Sequence, residues 1–178
     1  MAANPTLVIF ASDKGPGDAT RTAIMSQTGS LLARHGAKLV CLVENDDVPV
    51  ALLKSACAKG ATIELIVDKE YALPDVLQSI TIQIIPDRAE RLATLVRLAD
   101  CFVILPGSLA TATSHFLTVK ELGARVPMVF LNQNNAFEIV RGFSADVFAH
   151  TFQQAHKNMQ FAENVDEIWD HVSKLLAL

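Results

Sequence analysis

The sequence predicts an α/β fold: a three-layer, doubly wound and mainly parallel sheet with helices on both faces. Two observations carry this expectation. Short β-rich runs alternate with helical stretches along the chain, the pattern of strands joined by crossover helices. The first run, Thr6 to Ala11, reads Thr-Leu-Val-Ile-Phe-Ala, apolar toward both faces as a central parallel strand should be. With 178 residues, 51% of them hydrophobic, the whole chain 1–178 is expected to form one domain, since either half alone would be short of core.

The elements follow in order. Ser12 to Asp18 is a turn cluster, with Asp18 suited to cap the next helix. From Ala19 to His35 the apolar positions Ala23, Ile24, Leu31 and Leu32 leave a polar face, and Gly36 is a natural stop. Lys38 to Val43 is the second strand, Val48 to Lys59 a helix closed by Gly60, and Ala61 to Val67 the third strand. Asp68 to Leu77 is polar and irregular. Ile80 to Ile85 alternates as a fourth strand, and Pro86 suits the first position of a helix running to about Ala99. Cys101 to Leu105 and Val126 to Leu131 are strands five and six, with a helix from about Thr111 to Leu122 between them. Asn134 to Phe148 and Val165 to Leu176 supply the last helices, and Phe161 sits on a short edge strand.

Composition narrows the function classes. A net charge of -4 and a pI near 5.7 argue against a nucleic-acid binder, which needs a basic face. Cys41, Cys57 and Cys101 have no C-x-x-C spacing and read as free thiols in a reducing compartment. Met1 to Pro5 carries no basic segment, so no signal peptide is expected. No apolar run approaches the roughly 18 residues of a membrane span. A cytoplasmic protein without membrane association is the expectation. The five histidines show no metal-ligand spacing, so neither a metal nor a resident cofactor is expected.

In doubly wound sheets ligands bind beyond the carboxyl ends of the strands, and three strand ends carry candidates. After strand one, Ser12 and Lys14 can contact a phosphate or ribose, although the segment reads equally as a connecting loop. Gly15 and Gly17 do not complete a G-x-G-x-x-G pattern. After strand two, Glu44-Asn45-Asp46-Asp47 would repel a phosphate at close range. It is expected to be a solvated loop capping the following helix. After strand five comes Leu105-Pro106-Gly107-Ser108-Leu109-Ala110-Thr111-Ala112-Thr113-Ser114. A buried strand, a Pro-Gly turn and a helix start rich in hydroxyls make an anion site from unpaired backbone N–H groups and the helix dipole.

This last segment resembles the Pro-Gly-Gly-x-Gly-Thr-x-x-Glu motif of the cytokinin-activating phosphoribohydrolases, the "lysine decarboxylase-like" group. Pro106, Gly107 and Thr111 match; Ser108 and Ala110 replace glycines, and Ser114 stands where the family has glutamate. Arg91 lies as far ahead of Pro106 as the family's active-site arginine lies ahead of its motif, and Asp100 also falls on a family position. Leu31-Leu32-Ala33-Arg34-His35-Gly36 is similar to a family helix end. The resemblance implies a Rossmann-like nucleotide-binding domain, commonly a homodimer, related to carriers of the molybdenum cofactor. It implies that Arg91, Gly107, Ser108 and Thr111 hold the phosphate of a nucleotide or other phosphorylated small molecule. Arg91 also reads, with Arg88 and Glu90, as part of an exposed salt-bridged helix face.

The missing glutamate bears on catalysis. Cleaving an N-glycosidic bond builds positive charge on the ribose, which a carboxylate stabilises while activating water. Ser114 does neither well, and His115 points about 100° away. Three readings stay open: a binder with degenerate hydrolase machinery; an active nucleoside 5′-monophosphate phosphoribohydrolase recruiting Asp13, Glu44 or Glu90; and a homodimeric scaffold built on Phe116, Leu117, Val119 and Leu122.

Overall fold

The computed structural model of the protein describes residues 4–12, 18–107, 126–151 and 153–178. Seven strands form one sheet: β1 (Thr6–Phe10), β2 (Lys38–Val43), β3 (Ile63–Val67), β4 (Thr81–Ile84), β5 (Cys101–Ile104), β6 (Met128–Leu131) and β7 (Met159–Ala162). Their order is β4-β3-β2-β1-β5-β6-β7, and every described pairing is parallel. The chain winds outward from β1 to β4, then returns to the other side of β1 and winds outward again. The direction reverses between β1 and β5. This is the Rossmann-like, doubly wound α/β sheet that the alternation of runs predicts.

Side-chain alternation divides the core. Leu7 and Ile9 of β1 join Leu39, Cys41 and Leu65 beneath α1 (Ala19–Arg34), α2 (Val50–Cys57) and α5 (Glu167–Leu176). Val8 and Phe10 point the other way, joining Val40, Phe102, Ile104 and Phe130 beneath α3 (Arg88–Leu98). The central strands bury both faces, which is why they read as unbroken apolar runs. Helices α1 and α2 approach so closely at Gly29 that a Cβ there would lie 2.4 Å from both the Leu52 carbonyl oxygen and Ser55 Oγ. Only glycine fits without moving α2 backbone.

Most element boundaries agree with the periodicity to within two residues, and the differences have local causes. Helix α3 starts at Arg88 rather than Pro86, because Asp87 caps it through Oδ1 and the Glu90 N–H at 2.8 Å. Helix α2 starts at Val50 behind Pro49, with no side-chain cap, so the acidic loop does not cap it as expected. The helix expected over 134–148 is broken. Asn134 and Asn135 take φ of +58° and +59°, α4 covers only Glu138–Phe143, and a π-helical turn follows over Ser144–Phe148. Phe161 does lie on an edge strand, β7. The helix expected over 111–122 lies outside the described residues.

The three cysteines are free. Burial pushes the thiols of Cys41 and Cys101 up to about 12, so both act as small apolar side chains. No helix among the described residues is long and apolar enough to cross a membrane.

Candidate functional site

The carboxyl edge of the sheet is set by strand register. Ile9 pairs with Cys41 on one side and Val103 on the other. Three residues further along each chain come Ser12, Glu44 and Pro106, so the three candidate strand ends finish at one level. Adjacent strands lie about 4.8 Å apart, and β2 to β5 therefore spans about 10 Å across the point of reversal.

The segment after β2 is a tight turn. The Asp47 N–H donates to the Glu44 carbonyl at 3.0 Å, and Asn45 and Asp46 hold φ of +54° and +61°. Two consecutive left-handed residues are the pattern of a type I′ turn, which Asn and Asp tolerate better than other side chains. Its acidic groups face different neighbours. Glu44 Oε1 accepts from Arg91 Nε at 3.1 Å and Nη2 at 2.6 Å, with Arg88 Nε 3.5 Å away. Asp47 accepts from the Ser12 hydroxyl. Asp46 pairs with Lys69 at 3.0 Å, and its N–H lies 3.5 Å from the Tyr71 hydroxyl. The expected solvated loop holds only at its tip, where Asn45 and Asp46 are exposed; the Glu44 side chain is 13% exposed, and the turn ties together β1, β3 and α3.

Arg91 is buried, not part of an exposed helix face. It shares the inward side of α3 with Leu92 and Leu95, and its aliphatic stem carries the guanidinium up to the sheet edge. A cation near a helix N-terminus opposes the dipole, so its position has another cause. Nη1 donates to the carbonyls of Ile85 and Pro86 at 2.6 and 2.7 Å, and the fork is completed by Glu44. Four of the five N–H donors that an arginine offers are thus taken within the protein. A phosphate expected on Arg91 would have to compete with Glu44.

The other sequence candidates are distributed as follows. Ser12 is buried, 2% exposed, with its hydroxyl on Asp47. Gly107 is half-buried just beyond β5. Glu90 is exposed on α3. Asp13, Lys14, Ser108, Thr111, Ser114, His115 and the apolar positions Phe116, Leu117, Val119 and Leu122 lie outside the described residues. Asp100 is at the opposite, amino edge, where Oδ2 accepts the Thr6 N–H at 2.7 Å and serves sheet register.

Two groups at this edge escape sequence reasoning. Asn132, fully buried at the end of β6, accepts the Phe137 N–H at 2.7 Å and donates to Glu138 at 2.9 Å. The Asn132-Gln133-Asn134-Asn135 run after a strand was the available signal. The other is Tyr71, whose hydroxyl donates to Asp68. Burial and that hydrogen bond to Asp68 push the Tyr71 phenol up to about 12. Burial alone would raise Asp68, but the Tyr71 hydroxyl, backbone N–H groups and the Arg91 charge hold it below the usual carboxylate value.

Tyr71 is the single tyrosine, so absorbance near 295 nm reads it directly. The native protein should show phenolate forming with a midpoint near 12, and concentrated urea should return it to about 10. Because the folded phenol is the weaker acid, its contribution to stability is complete below about pH 10 and is lost as pH rises toward 12. A native midpoint near 10 would mean that the Tyr71–Asp68 contact is not formed.

No protein-family model matches the sequence, and comparison with curated proteins gives no match. Solved structures do match. The molybdenum cofactor carrier protein of Chlamydomonas reinhardtii superposes with a TM-score of 0.72 at 18% identity, covering 98% of this chain and 100% of that one. The molybdenum cofactor binding protein of the phototrophic bacterium Rippkaea orientalis gives 0.72 at 15% identity, with 99% of each chain covered. Over nearly its full length, then, the chain shares the Rossmann-like α/β fold of these molybdenum cofactor proteins.

Proposed function

We propose that this protein binds a phosphorylated small molecule, of the nucleotide or molybdenum-cofactor class, across the carboxyl edge where β1 and β5 diverge, and holds it without efficient turnover. The observation that carries this reading is the convergence of Ser12, Glu44 and Pro106–Gly107 at one level over the reversal point, where doubly wound sheets bind ligands. In this reading the phosphate sits on the segment that starts at Gly107, with Ser108 and Thr111 as hydroxyl donors and Lys14 as the cation. Ser12 lines the floor, and Arg91 acts through Glu44. Serine at position 114 supports binding over hydrolysis, because it supplies no carboxylate.

A hydrolase reading draws on one feature: Glu44 brings a carboxylate to the edge from a different strand. Base release from AMP or GMP would establish it.

Thermal unfolding with AMP, GMP, ribose 5-phosphate, inorganic phosphate and the molybdenum cofactor tests the binding reading. A ligand at a hundred times its dissociation constant should add about 2.7 kcal/mol to the unfolding free energy. Gly107→Asp, which sets a carboxylate where the phosphate would lie, should abolish the gain. If none of the five ligands raises the unfolding midpoint, the reading fails.

A further inference from the structure

The two edges of the sheet are finished differently. At β7, Met159 and Ala162 are buried, Gln160 and Phe161 are half-buried, and the Arg141 guanidinium lies over the Phe161 ring. At β4 all four residues, Thr81–Ile84, are exposed. Ile82 and Ile84 share one side of the strand and are 42% and 46% exposed. They lie in register with Leu65 and Val67 of β3, and so carry the core layer beneath α1 and α2 out to the rim. Edge strands are ordinarily guarded by a charge, a proline, a bulge or a covering element. Here the eleven residues from Val76 to Pro86 carry no charge.

The backbone fixes which groups of β4 face outward. The Ile85 N–H donates to the Val67 carbonyl at 2.8 Å, and in a parallel ladder alternate residues bond the neighbouring strand. Thr81, Gln83 and Ile85 therefore bond β3, while the N–H and C=O groups of Ile82 and Ile84 point away from the sheet. Among the described residues none bonds to them. This outward row ends on both sides. Ile80 spends its N–H on the Leu77 carbonyl at 3.2 Å, and Pro86 has no N–H to offer.

The row is its own complement. In an antiparallel pair about a two-fold axis normal to the sheet, opposite residues share a face and both point toward the partner strand. Ile82 of one copy opposite Ile84 of the other meets both conditions, and the symmetry repeats the match. Every outward group of the two residues is then paired, and Gln83 faces Gln83 on the axis. A shift of two residues either way sets a carbonyl of Ile84 against the occupied Ile80 N–H, or one of Ile82 against Pro86. Such pairing also limits itself, because the joined sheet has the guarded β7 at both outer edges. Each chain carries a net charge of -4, and the uncharged run lets two copies approach without like charges meeting.

We infer that a second copy of this chain docks on β4, as a two-fold antiparallel pair with Ile82 opposite Ile84. This surface is distinct from the dimer expected on the helix over 111–122. It lies three strand spacings from β1, about 14 Å, and leaves the carboxyl edge of both copies open.

Sedimentation equilibrium of the full chain should give a mass near twice 19.3 kDa. Ile84→Pro removes an outward N–H and spares the ladder to β3, which uses residues 83 and 85. Across the axis it deletes two hydrogen bonds, and should raise the dimer dissociation constant at least about tenfold. Ile82→Lys supplies the missing guard charge; it should act likewise and serves if the proline variant does not fold. Gln83→Cys puts two thiols at a pair whose Cα atoms lie about 4.5 Å apart, within disulfide reach. Diamide should trap that variant as a covalent dimer. Thr81→Cys, facing Ile85, and the wild type with its half-buried Cys57 should stay uncross-linked. A monomer at every concentration overturns the proposal. So does a dimer that both edge variants leave intact, or a cross-link through Thr81→Cys in place of Gln83→Cys.

Discussion

Replacing Arg91 with alanine should destabilise the protein by about 3–5 kcal/mol, the cost of leaving one member of a buried ion pair alone. Three groups lose Arg91 together: the Glu44 carboxylate, which keeps only Arg88 Nε at 3.5 Å, and the carbonyls of Ile85 and Pro86. With the Arg91 side chain 5% exposed and that of Glu44 13% exposed, water compensates little until the loop opens. Arg91→Lys keeps the charge but offers one compact ammonium in place of a planar fork, and should fall between. Replacing both residues by leucine should recover much of the loss, since a buried pair as a whole adds little over apolar packing. Urea denaturation of the three variants measures this. A loss below about 1 kcal/mol for Arg91→Ala would place the pair among solvated surface bridges.

The second large effect is expected in the other half of the sheet. Phe130 on β6 is fully buried. It stacks on Phe161 of β7 with centroids 5.1 Å apart and meets Phe137 edge-on at 5.3 Å. Phe130→Ala should cost about 3–5 kcal/mol, the removed contacts and the cavity both contributing. Phe161→Ala should cost less, because its ring is already half-exposed and shared with Arg141, whose guanidinium lies 5.1 Å from its centroid. Equal losses from the two variants would show that β7 packs more tightly than its edge position implies. Thermal unfolding of both variants reads the difference.

How much of this is legible in the sequence varies with the range of the interaction. The strands are, because burial on both faces leaves a mark at every residue of Thr6–Phe10 and Cys101–Ile104. Helix stops are as well, since Gly36 and Gly60 do hold the positive φ that ends a helix. The acidic loop is not. Its composition reads as solvent-facing, and nothing local says that Arg91, 47 residues away, will bury Glu44. Asp100 likewise matches a family position, yet spends its carboxylate on the first N–H of β1. The break in the helix after β6 was written in the paired asparagines, whose tolerance of left-handed backbone competes with the helical periodicity around them.

The turn after β2 has a further consequence for biosynthesis. Its contacts join residues 47, 35 and 25 positions apart, and contacts of long separation close late because loop entropy must be spent first. A nascent chain that has not yet delivered Arg91 lacks the clamp on Glu44, even with β1 to β4 already made. The acidic turn is therefore complete only once the chain has folded past α3. Excised as a short peptide, the acidic turn would lose its partners Ser12, Lys69, Tyr71 and Arg91, all of which lie outside the four residues that compose it.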